Sequence, residues 1–200
     1  MGWSYASVLV GAEASQIAAE VANLGTYLSV EPVAPGRAAV ATPGEFFDDA
    51  DEVAQHISSL APLGAIAFYV CDSDYITATL YRDAKQIHRY VSEIAMTGTP
   101  VEEADGVFRI EIDGTSYAED SPDYPQGPRG ADPGWLAPFG TGEIDTLRLA
   151  ALLEGVPEPG VATSGRLGRP RWLYAEQQHH AILDALHLDP RPLAGQLDEQ

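Results

Sequence analysis

Lysine occurs once in this chain, at Lys85, and cysteine once, at Cys71. A single cysteine excludes an intrachain disulfide and every CxxC motif, and it fits a reducing compartment. Long hydrophobic runs are missing as well. No stretch approaches the roughly 18 apolar residues of a membrane helix. The opening MGWSYASVLV lacks the positive region of a signal peptide, and Ala6 breaks the myristoylation pattern. These absences predict a cytoplasmic protein with no membrane partner. GxGxxG, P-loop, GxSxG and HExxH patterns are absent too. No cofactor and no metal is expected, and the chain reads as non-enzymatic.

Basic residues are scarce: 11 against 30 acids, a formal net charge of −19. Arg37 is the sole base before Arg82. Such a field repels nucleic-acid phosphate and attracts a basic protein partner. Solubility alone is the bland alternative. The shortage of lysine beside abundant Ala, Gly, Pro and Arg suggests a GC-rich bacterial genome.

What is present is enough for one core. Hydrophobic residues make up 45% of 200 and are spread along the chain. One domain over 1–190 is expected, with 191–200 a frayed tail. Residues 3–10 alternate as a strand buried on both faces. Ile17, Val21 and Leu24 recur at helical spacing, with Gly25 placed to end the helix. Two short strands meet at Ala34–Gly36. Thr42, Pro43 and Glu45 make a helix start, and the stripe runs on through Val53, Ala54 and Ile57. Three alternating segments within 64–92, joined by turns at Cys71–Asp74 and Arg82–Lys85, form an antiparallel meander. A further strand ends at the Asp113–Gly114 turn. Residues 115–141 are rich in Pro, Gly and Asp and read as a long loop. Trp135, Leu136 and Phe139 anchor its far end. Two helices follow. The order predicts an α+β fold, one mainly antiparallel sheet packed by about four helices.

The most chemical-looking stretch is YAEQQHHAILDALHL, residues 174–188. Successive residues on a helix point about 100° apart, so His179 and His180 cannot share one metal. His179 falls on the apolar stripe with Ala175, Ile182 and Leu183. It should be buried, and His180 exposed on a polar stripe with Glu176, Asp184 and His187. His180 and His187 lie about 10 Å apart along the axis, too far for one ion. The Asp72–Ser73–Asp74 run reads first as a polar hairpin turn and only second as a paired-carboxylate or cation site. Cys71 reads as a small core residue. Arg166, Arg169 and Arg171 form the one basic cluster, balanced by the chain's own acids.

Two groups of candidate site residues emerge. If the protein binds a basic partner, the acids of the second helix, Glu45, Asp48, Asp49, Asp51 and Glu52, would face it. Trp135 and Phe139 would supply aromatic anchors. If it is instead a small enzyme or ligand-binding protein, the site would lie between the sheet and the 115–141 loop. Asp72, Asp74, His88, Tyr90 and Arg109 would build it.

GADPGWLAPFG, the leucine-rich helix after it and YAEQQHHAILDALHLDP resemble the C-terminal part of small uncharacterised bacterial α+β proteins. That resemblance implies a fold and no activity. In size and acidity alone the chain is also similar to immunity proteins of bacterial toxin systems, which mask or inhibit a basic partner.

Overall fold

The computed structural model describes residues 4–25, 28–42, 48–102, 108–118, 121–161, 163–164 and 171–194, without the side chains of Asp48, Thr163, Ser164 and Arg171. The expected cap at Pro43 and Glu45 and the arginines at 166 and 169 lie outside these residues, as does the side chain of Arg171.

The main sheet contains β1 (Tyr5–Val10), β2 (Ser29–Ala34), β3 (Arg37–Ala41), β4 (Ala65–Cys71), β5 (Tyr75–Arg82) and β6 (Lys85–Val91). Their order is β2-β3-β1-β4-β5-β6, and every pairing is antiparallel. The β4-β5-β6 meander is the one its alternation predicts. Its hairpins turn on two positive-φ residues each, Asp72 with Ser73 and Asp83 with Ala84. Left-handed residues at both turn positions match the right-handed twist of the strands. Asp tolerates that conformation, whereas Ala pays for it. Ala84 is held by α2 (Asp48–Ile57): its N–H donates to Ser58 Oγ, and its carbonyl accepts from Gln55 Nε2.

Alternation sorts the side chains onto two cores. Ala6, Val8, Val10, Ala65 and Ala67 pack under α1 (Ala14–Leu24) and α2. Leu9, Ile66, Phe68, Val70, Ile76 and Leu80 pack under α3 (Thr146–Leu153) and α4 (Ala175–Ala185). β1 is therefore buried on both faces, as its pattern requires. α1 opens with a reciprocal Glu13–Gln16 capping box. It ends at Gly25, as expected, with that residue in extended backbone.

Several expectations are corrected beyond residue 92. A separate three-stranded sheet forms from β7 (Thr99–Glu102), β8 (Phe108–Ile112) and β9 (Thr115–Tyr117). The Asp113–Gly114 turn joins β8 to β9, but β7 is only four residues long, follows Gly98 and carries Pro100, which leaves little alternation to read. β9 and two 3-10 turns, Pro133–Trp135 and Ala137–Phe139, occupy part of the region expected to be structureless. Its middle is strapped to the edge strand, where Val91 and Arg129 exchange both backbone hydrogen bonds. Its end is gripped by Arg37, whose guanidinium donates to the carbonyls of Pro138 and Phe139. A short ribbon, β10 (Thr163–Ser164) with β11 (Arg171–Trp172), precedes α4. The tail does not fray at once after Pro190: Leu193 and Ala194 are buried, and Ser7 Oγ donates to the Leu193 carbonyl. Among the described residues no helix is long and apolar enough to cross a membrane.

Candidate functional site

The row of side chains on the α2 face of the sheet changes character along it. Under α1 and α2 it is aliphatic. Toward β5 and β6 it becomes Tyr69, Tyr75, Thr77, Thr79, Tyr81 and Arg89, because alternation brings these positions to one side. The register sets Tyr69 opposite Thr77, and Thr79 between Ala67 and Arg89. α2 does not reach across this part. A cleft of about 650 Å³ opens there. Its floor and walls include Tyr69, Cys71, Tyr75 and Thr77. Asp51 lies on the helix side, Arg89 with Met96 and Thr97 on the other, and Asp72 with Asp74 at one end.

Asp51 is fixed in this cleft. Tyr69 and Tyr81 donate their hydroxyls to its two carboxylate oxygens, at 3.1 and 2.8 Å, and its own N–H donates to the Tyr69 hydroxyl. Burial, and then the charge and hydrogen bonding of Asp51, push both tyrosines well above their ordinary value. They therefore remain donors at any physiological pH. Asp51 was expected to be a free surface acid. It is half-buried, because the sheet presents two hydroxyls beneath the second turn of the helix. Asp49 is half-buried and Glu52 exposed. Tyr75 is pushed up to about 12, first by burial. Burial also raises the Cys71 thiol, which keeps it protonated and a poor nucleophile.

Arg89 is exposed and lines both this cleft and an adjoining cavity of about 210 Å³. That second cavity also holds Val91, Ile94, Thr97, Asp113 and Arg129. Arg129 pairs with Asp113. Arg89 makes no hydrogen bond or ion pair with a described residue, although acids outnumber bases almost three to one.

The other expected constellation is not assembled. Asp72 and Asp74 stand at the mouth of the cleft. His88 and Tyr90 point to the opposite face of the sheet, since they pair with Leu80 and Ala78. His88 stacks on Trp135 and bonds the Gly130 carbonyl. Tyr90 is buried and donates to the Leu153 carbonyl, while Gln178 reaches both Tyr90 and Leu152. Arg109 belongs to β8 in the small sheet. Trp135 is half-buried, and Phe139 has no exposed surface at all. An aromatic wholly inside the core cannot anchor a partner, so that expectation is corrected.

The histidine helix conforms in part. His179 is fully buried, as its stripe predicts, against Phe68 and with Nδ1 bonded to the Tyr5 hydroxyl. His180 is half-buried rather than exposed, and Glu176 is 6% exposed. Glu176 is covered by the β4-β5 turn, which docks on the start of α4. Ser73 donates to Glu176 at 2.5 Å, and the Ala175 N–H donates to the Ser73 carbonyl. A helical wheel cannot show a distant hairpin covering its polar stripe. Asp184 and His187 do remain exposed. Among the described residues no cluster of three metal-ligating side chains occurs. No family model, curated protein or solved structure matches the chain.

Proposed function

We propose that this is a non-enzymatic acidic binding protein of the bacterial cytoplasm that masks a basic protein partner, as an immunity or inhibitor protein would. Its working surface is the cleft, where a cationic side chain of the partner enters between the tyrosines. The observation that carries this is the convergence of Asp51 from α2 with Asp72 and Asp74 from the β4-β5 turn on one cavity. Tyrosine rings suit a cation both by their faces and by their hydroxyls. Carboxylates at the rim would speed the encounter. Among the described residues the lining contains no histidine to act as a base near neutral pH, and its thiol, Cys71, is held protonated. Both features favour binding over catalysis.

A tetra-arginine peptide is the probe, with tetra-glutamate as control. Calorimetry at low salt should register the basic peptide only. Asp72→Asn with Asp74→Asn should weaken it by about tenfold. Asn tolerates the left-handed conformation at position 72, so the fold and melting temperature should hold. Raising salt should weaken the wild type more steeply than the double variant, since fewer charges remain to be screened. A basic peptide that fails to bind, or binds both proteins alike, would move the function away from this cleft.

A further inference from the structure

The cleft is not uniformly acidic, and its polarity has a direction. At the level of Ala67 and Thr79, Asp51 overhangs β4 and β5, held by Tyr69 and Tyr81 from either side. The next residue in that row is Arg89 on β6, directly opposite Thr79. β4 and β6 are two strand spacings apart, roughly 10 Å. An extended arginine or lysine can bridge such a gap from its side-chain cation to its own carboxylate. Arg37, Arg148 and Arg191, by contrast, are engaged with carbonyls or carboxylates. Arg89 lines both cavities, together with Thr97, and among the described residues it is left without an anionic partner. Arg129 in the second cavity is paired with Asp113, so Arg89 is the cation left open to a ligand there.

We infer that the joined cavities take a dipolar ligand, its cation facing Asp51 and its carboxylate bound by Arg89. That chemistry belongs to a free basic amino acid or to a peptide ending in one. The inference rests on the cleft being a cation site, and it adds that the ligand carries a free carboxylate near that cation, which an internal residue of a chain does not. A planar guanidinium grips a carboxylate through two parallel hydrogen bonds, which an amide cannot reproduce.

Four probes separate the possibilities: Gly-Gly-Arg as the free acid and as the amide, L-arginine, and agmatine, which is arginine without its carboxylate. Wild type should bind each acid about tenfold more tightly than its carboxylate-free counterpart. Arg89→Gln should abolish that preference and leave the amide and agmatine within about twofold of wild type. Arg89 is exposed, so this change should not disturb folding. Tight peptide acid with weak L-arginine identifies a chain end as the ligand, and the reverse identifies a free amino acid. Equal affinity for acid and amide overturns the role of Arg89 while leaving the cation site standing. Absence of binding by all four overturns both.

Discussion

Phe139→Ala should lower the unfolding free energy by about 3–5 kcal/mol, a large share of the 5–15 kcal/mol that holds a typical domain. Phe139 is 0% exposed and belongs to the same core as Leu136, Leu149 and Leu186. Truncation removes the ring and leaves a cavity that the sheet beneath is too rigid to close. The loss should extend to the loop, because Arg37 donates to the carbonyls of Pro138 and Phe139 themselves. Urea unfolding measures the effect directly. A loss under about 1 kcal/mol, joined to weaker binding of a basic peptide, would restore Phe139 to the surface role its sequence context suggested.

Acid should destabilise the protein through His179. An ordinary histidine titrates near 6.5, but burial, and secondarily the neighbouring His180, push this ring down to about 3. Between those values the unfolded chain binds a proton that the folded one refuses. The contribution is therefore complete above about pH 6.5. It is lost at roughly 1.4 kcal/mol per pH unit as pH falls, until the folded ring also titrates near 3. About 2 kcal/mol should be gone by pH 5. His179→Asn keeps a polar partner for the Tyr5 hydroxyl and cannot titrate. It should start less stable at pH 8, from the lost volume, and then decline far less between pH 7 and 5. Parallel pH slopes for the two proteins would show that other groups govern the acid limit.

These effects differ in how legible they were. The α+β class, the meander and the burial of His179 follow from local periodicity, which survives folding because each strand or helix keeps one face to the core. The docking of Ser73 on Glu176 joins residues 103 positions apart, and no period carries it. The cleft lies between these extremes. The alternations of Ala65, Ala67 and Tyr69, and of Thr77, Thr79 and Tyr81, already describe a face that turns polar toward one edge. Laying the two strands side by side would have set Tyr69 and Tyr81 on one face, four positions apart in register, with Arg89 beside Thr79 between them. Asp51 was missed as their partner because its position depends on where α2 crosses the sheet. The small β7-β8-β9 sheet was partly hidden, since Pro100 and the charged residues around it blur alternation.

All six strands of the main sheet are complete by Val91, yet one of its faces waits for residues beyond Pro133. During synthesis, about 100 further residues must be added before Leu193 closes over Ser7. At ordinary elongation rates that takes roughly 5–20 s. Over that interval Leu9, Ile66, Phe68, Val70, Ile76 and Leu80 form an uncovered apolar plane on the nascent chain. The opposite plane, under α1 and α2, is already roofed. Ribosome-bound chains stalled near residue 120 should therefore recruit a holdase chaperone, and chains stalled well past the last helix should release it.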